Sequence, residues 1–207
     1  SVYGPPAKYF YAMAGAPYFN LGKQQREEGL STDQVLQAMD QSVTDLPRIN
    51  EFEKNQTLAS WYGLPWLAYE GGADSFGPGS QDAKMNANLD SRMQDLCQRY
   101  LSTWYQSGGQ LFMWFNAGAG NWSTQYGAWE LTTDLAITDT PKIRCVDQTL
   151  AGPTPSFEGR NKAPGSFEAY AFAGNFPPYS EQSKNQVRNL APGRSIDYLV
   201  QATQAGT

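Results

Sequence analysis

Glu70 is the side chain of this sequence with the clearest claim to chemistry. It closes the apolar run Leu64-Pro65-Trp66-Leu67-Ala68-Tyr69 and is followed at once by Gly71-Gly72. A carboxylate at the end of a buried strand carries a desolvation cost unless donors or a ligand compensate. Chains tolerate that cost where the carboxylate reacts. Two readings of Glu70 stand at this point: a reactive carboxylate, or a structural one that caps the following loop or pairs with an arginine. The chain contains no histidine. Ser-His-Asp and Cys-His catalysis, His-ligated zinc and histidine general bases are thereby excluded. Acid–base work falls to Asp, Glu, Tyr or Lys. No cofactor and no metal are implied. Gly71-Gly72 and Gly118-Ala119-Gly120 lack the helix entry of a phosphate loop, and Cys97 and Cys145 fit no metal spacing.

The groups expected near Glu70 are aromatic or neutral. Tyr18 ends an earlier apolar run, and its hydroxyl is placed either to hydrogen-bond Glu70 or a sugar, or to sit half-buried. Trp114 ends a later run, as a stacking floor for a ring or as core packing. Asn116, Trp122, Tyr126, Trp129 and Glu130 follow in one loop. Each is a candidate for lining a site or an ordinary loop residue, and Glu130 is the one nearby substitute for a second acid. Asp74 is expected to shape the loop after Glu70. Charged residues make up 17% of the chain and aromatics 14%, with 6 Trp and 12 Tyr. Aromatic faces and neutral amides suit sugars, which offer C–H faces and hydroxyls, so carbohydrate is the expected partner.

Other partners fit less well. The net charge is -5 and basic tracts are lacking, which argues against nucleic acid. No apolar run is long enough to span a bilayer, so membrane insertion is not expected. Ser1 to Pro6 lacks the charged and apolar regions of a leader, so the expectation is a mature chain or part of a longer one. Cys97 and Cys145 either form a disulfide in an oxidising compartment or remain buried thiols. Asn55-Gln56-Thr57 and Asn121-Trp122-Ser123 match the glycosylation sequon, which adds weakly to an expectation of secretion.

The elements that must position these groups alternate. Residues 8–19 predict a buried strand ended by Pro17. Ser31 and Gln34 form a capping box, opening a helix with Val35, Leu36, Met39, Val43 and Leu46 on one face. Pro47 breaks or kinks it. A second helix is expected over about 48–62, and a strand over 65–69. A single helix over about 83–106 carries the stripe Met85, Leu89, Met93, Leu96, Cys97, Tyr100, Leu101 and Trp104, and stops at Gly108-Gly109. A third strand spans 110–115. A last helix, with Ile143, Val146 and Leu150 as its apolar set, begins near Thr140-Pro141. This is the α/β rhythm of a (β/α)8 barrel, whose active sites lie at the C-terminal ends of its strands. Three strands leave exposed edges, so the expectation is the C-terminal portion, about strands six to eight. Residues 1–152 form this part. A linker opens residues 153–207, where 166–173 and 195–203 predict strands of an incomplete β-rich module.

Five elements in order carry a resemblance. Ala16-Pro17-Tyr18-Phe19, Ala68-Tyr69-Glu70-Gly71-Gly72, Asp90-Ser91-Arg92-Met93, Trp104 to Gly109, and Leu111 to Phe115 with Tyr126-Gly127-Ala128-Trp129 together resemble the C-terminal part of secreted (β/α)8 glycoside hydrolase-like proteins. The resemblance implies a retaining hydrolase with Glu70 as nucleophile at the end of strand seven. The acid/base, at the end of strand four, would lie in the N-terminal barrel half, outside this chain. A β-linked polysaccharide or glycan is the implied substrate. Ser195 to Val200, through Gly206-Thr207, is similar to an early segment of the β-sandwich modules appended to such hydrolases. The competing reading is a non-catalytic carbohydrate-binding or matrix protein on the same scaffold. A free-standing small α/β domain is the third.

Overall fold

The computed structural model describes residues 3–49, 51–118 and 120–153, together with four short strands further on. The capping box forms as its sequence dictates. Gln34 N–H donates to Ser31 Oγ at 3.2 Å, and Ser31 N–H donates to Gln34 Oε1 at 2.8 Å. Helix α1 (Thr32–Ile49) follows and buries Val35, Leu36, Met39, Val43 and Leu46. Pro47 lies within its last turn rather than ending it, and α2 (Glu51–Trp61) begins directly after. Where one long helix was expected over 83–106 there are two, α3 (Gln81–Leu89) and α4 (Arg92–Gln106). They are separated at Asp90, whose carboxylate caps Arg92 N–H at 2.9 Å and binds its guanidinium at 2.7 Å. The apolar stripe holds in α4, from Met93 to Trp104. It fails in α3, which exposes Leu89 and buries Lys84, Ala87 and Asn88 instead.

The strands are short and run side by side in one direction. Strand β1 (Met13–Gly15) pairs in parallel with β3 (Trp66–Ala68), and β2 (Tyr18–Asn20) pairs in parallel with β4 (Gly72–Asp74). The strand expected over 110–115 does not form as such; the segment runs extended beside β3 and joins it at one bridge. Ala68 bridges Phe112 in parallel. Gln110 N–H donates to Trp66 O, Ala68 N–H to Leu111 O, and Met113 N–H to Ala68 O. The expected strand over 8–19 is instead two short strands, β1 and β2, and pairing resumes after Pro17 with Tyr18 opening β2 rather than ending a strand. Residues 6–8 form a 3-10 turn, and Tyr9, Phe10 and Tyr11 are exposed.

Among the described residues, helices cover one face of this sheet. Trp66 and Ala68 are buried against them. Trp66 lies 4.1 Å from Trp104 by ring centroid, and Phe52 meets both rings. Tyr100 of α4 packs on Phe19 and Phe112. Burying each such aromatic contributes on the order of 2–3 kcal/mol. The chain passes from α4 into residues 110–115 over Gly109, where a Cβ would lie 2.1 Å from the Trp104 ring. Among the described residues nothing covers the opposite face. Ala14 and Ala16 are exposed on the β1 side, and Tyr69, Leu111 and Met113 are 56%, 54% and 52% exposed. Alternation along a strand places these residues together.

Helix α5 (Pro141–Ala151) starts as expected, with Thr140 as its cap accepting from Ile143 N–H and Pro141 at the first position. Its buried side differs from the expected Ile143, Val146 and Leu150. It consists of Pro141, Lys142 and Cys145, while Leu150 is exposed. The disulfide Cys97–Cys145 fastens α5 to α4, which settles the pairing that the spacing left open. With the cysteines 48 positions apart, loop-closure entropy puts its contribution at about 4 kcal/mol. Further on, β5 (Lys162–Ala163) pairs in parallel with β8 (Gln201–Ala202), and β6 (Glu181–Ser183) pairs antiparallel with β7 (Gln186–Arg188). The strand expected over 166–173 and most of that over 195–203 lie outside the described residues.

Candidate functional site

Tyr18 and Glu70 come together where β1 and β3 end and β2 and β4 begin; Asn116, Tyr126 and Glu130 lie apart on the following loop. The register there changes by one residue. Gly15 pairs with Ala68 and Tyr18 with Gly72. Two residues, Ala16 and Pro17, therefore face three, Tyr69, Glu70 and Gly71. An extra residue on one strand of a pair is a bulge, a device that re-aims side chains and is common beside active sites. Glu70 is the middle residue of that bulge.

The two glycines after Glu70 are what let the bulge close. At Gly71 a Cβ would lie 2.4 Å from Pro17 O and 2.7 Å from the Phe112 ring. Gly72, at φ 121°, would press a Cβ to 2.6 Å from the Trp114 ring. Pro17 O accepts from Gly72 N–H at 3.2 Å and from the Tyr100 hydroxyl at 2.6 Å. Phe115 N–H donates to Gly71 O at 2.9 Å, bringing the segment 110–115 alongside. The Gly-Gly pair thus serves backbone approach and leaves the face of Trp114 against the chain.

Tyr18 reaches Glu70 from the neighbouring strand. Burial, then the Glu70 charge and a hydrogen bond to its carboxylate, push the Tyr18 phenol well above the usual range, with Asp74 adding to the effect. The phenol is therefore held protonated beside the Glu70 carboxylate. Glu70 itself is half-exposed.

An aromatic wall stands beside this pair. Trp114 donates its indole N–H to Trp129 O at 2.8 Å, and Trp129 donates its own to Asp74 Oδ1 at 2.9 Å. Trp129 stacks on Phe76 at 6.2 Å and 10°, and meets Phe115 edge-on at 5.6 Å. The Phe115–Asn116 peptide bond is cis. Asn116 turns inward on its own loop, its Oδ1 accepting from Gly118 N–H and its carbonyl from Leu131 N–H.

Asp74 anchors this wall. Its Oδ1 also accepts from Phe76 N–H at 2.8 Å, and its Oδ2 accepts from the Gln25 amide at 3.1 Å. It therefore does more than shape its own loop, as it ties the loop after β2 to the loop after the segment 110–115. Glu130 is likewise committed, with Oε2 accepting from the Trp122 indole at 2.9 Å. Tyr126 is exposed at the loop surface.

Two buried lysines, which the sequence pattern does not flag, lock the loops. Lys142 is fully buried. It donates to Ala128 O at 2.6 Å and lies 4.1 Å from the centroid of the Trp122 ring. Burial pulls its pKa well below the usual lysine value, against a smaller opposing pull from Glu130. Lys84 donates to Gln25 O and Gly77 O, each at 2.8 Å, and burial lowers its pKa in the same way. A lysine reads as surface in any sequence pattern. The one available signal was Lys84 and Lys142 falling on the inner faces of α3 and α5.

Among the described residues no group of three or more His, Cys, Asp or Glu side chains is arranged to hold a metal ion, and no helix is long and apolar enough to cross a membrane. No family model, curated protein sequence or solved structure matches the chain.

Proposed function

We propose that this chain supplies the C-terminal staves of a (β/α)8 barrel and the nucleophile, Glu70, of a retaining glycoside hydrolase acting on a glycan. The observation that carries the reading is Glu70 itself. It occupies a bulge directly after β3, with the segment 110–115 on one side and β1 on the other, the Tyr18 phenol nearby on the neighbouring strand and the Trp114–Trp129 pair beyond. A retaining mechanism needs a carboxylate to attack the anomeric carbon and a second carboxyl, about 5–5.5 Å away, to protonate the leaving oxygen. Tyr18 lies beside the attacking carboxylate, while Trp114, packed on Phe19 and Phe112, and Trp129, stacked on Phe76, hold the flanking loop through their indole hydrogen bonds.

The second carboxyl is assigned to polypeptide beyond this chain. Asp74 and Glu130, the acids of the neighbouring loops, are already engaged with Trp129, Gln25 and Trp122. The sheet face that no described residue covers supports the same assignment, since parallel sheets are covered on both sides. The domain would then be secreted, in keeping with the disulfide.

The test is Glu70→Gln in the intact source protein. Turnover of a β-linked glycan should fall by at least about a thousandfold, while the circular dichroism spectrum and sugar binding stay as they were. Unchanged turnover in the variant rules out the nucleophile. If the unsubstituted protein binds glycan and cleaves none, the scaffold serves as a binding or matrix protein instead.

A further inference from the structure

We propose that Asn121 is an N-glycosylation site of this protein and that Asn55, the other sequon asparagine, is not. The two sequons are alike in sequence and opposite in structure. Asn121 is exposed in the loop after the segment 110–115. Its Oδ1 accepts from Ser123 N–H at 3.1 Å and from Ser123 Oγ at 2.6 Å. The sequon hydroxyl is therefore already folded onto the acceptor amide. Both bonds fall on the oxygen, and among the described residues no hydrogen bond engages the Asn121 Nδ2. Thr124 holds the same turn from the other side, its hydroxyl donating to Asn121 O at 3.1 Å. The intervening Trp122 points inward, where it is buried between Lys142 and Glu130. That anchor leaves Asn121 on the exposed side of the loop.

Asn55 lies in the middle of α2. Successive residues on an α-helix are about 100° apart, so Asn55 and Thr57 diverge by about 200° around the axis. The Thr57 hydroxyl cannot fold onto the Asn55 amide while the helix stands. Asn55 is also half-buried, lining a groove with Met13, Pro17, Phe52 and Trp66 that a glycan would have to fill.

The transfer balances with a polyprenyl-pyrophosphate-linked oligosaccharide as donor. A bond forms between Asn121 Nδ2 and the anomeric carbon, the bond from that carbon to the pyrophosphate oxygen breaks, the amide loses one proton and the lipid pyrophosphate leaves. The compartment that supplies this donor is also the oxidising one that the Cys97–Cys145 bond requires.

The 207-residue chain, produced behind a cleavable leader in a eukaryotic secretory host, tests this. Intact mass before and after peptide-N-glycosidase should differ by one glycan. Release in heavy-oxygen water should mark residue 121 and leave residue 55 unlabelled. Asn121→Gln and Ser123→Ala should each abolish the shift, Ser123→Thr should keep it, and Asn55→Gln should leave it unchanged. Glycopeptide mapping of cell-retained protein gives the same readout if a variant is not secreted. A chain that enters the lumen without a glycan, or carries one at Asn55, overturns the proposal.

Discussion

At the scale of single residues, the Tyr18 hydroxyl makes the sharpest prediction. Its phenol is pushed above the usual 10.0 by burial first and by Glu70 next. Tyr100 is raised by burial with smaller contributions from Tyr18 and Glu51, and Tyr105 by burial alone. Each folded-state pKa exceeds its unfolded value, so above pH 10 the unfolded chain has shed protons that the native chain retains. The stability these phenols contribute is intact below pH 10 and is lost as pH rises beyond it. Phenolate absorbance should therefore show a late-titrating class of tyrosines that ionise with alkaline unfolding. Tyr18→Phe should remove one member of that class. A Tyr18 that ionises early, before alkaline unfolding, would contradict its burial beside Glu70. Tyr18 and Glu70 were legible in the sequence because both end apolar runs. Lys84, Lys142 and the anchoring role of Asp74 were not. Their partners are backbone carbonyls, an amide and an indole brought in from loops up to 59 residues away, and no local pattern encodes such meetings.

At the scale of elements, the bulge at Glu70 depends on the absence of side chains at 71 and 72. Gly71→Ala would force a Cβ against the Pro17 carbonyl, which is backbone and cannot swing aside. Overpacking of this kind costs about 1–3 kcal/mol, which urea unfolding would register. It should also part Tyr18 from Glu70, returning the phenol toward an ordinary titration. A Gly71→Ala protein with unchanged stability would show that the strands do not approach as described. The helices illustrate what periodicity could and could not reveal. In α1 and α4 the stripe coincides with the buried face, because each packs one broad side on the sheet. The 83–106 run concealed a break, because Asp90 and Arg92 make a local cap whose residue types also occur within helices. The first strand was overextended for a related reason. Tyr9, Phe10 and Tyr11 are as apolar as a buried strand, yet they precede the point where a partner strand begins.

At the scale of the whole molecule, the decisive feature is the side of the parallel sheet that no described residue covers. Leu67, Tyr69, Leu111 and Met113 occupy strand positions alternate to Trp66, Ala68 and Phe112, which pack on helices. In a closed barrel that side is the interior, filled by layers of side chains. The two cases respond oppositely to one pair of substitutions. If the 207 residues fold as they stand, Leu111→Lys and Met113→Lys change an exposed surface and shift stability by no more than about 0.5 kcal/mol each. If further staves close over them, each substitution buries an unpaired charge and costs on the order of 3–5 kcal/mol in the intact protein. We expect both outcomes, each in its own setting: tolerance, with reduced self-association, in the isolated chain, and severe destabilisation in the source protein, whose intact mass should exceed 22.9 kDa. Chemical denaturation of both forms makes the comparison. Tolerance in the source protein would mean that no barrel closes over this face, and Glu70 would lose the opposing carboxyl on which its proposed chemistry depends.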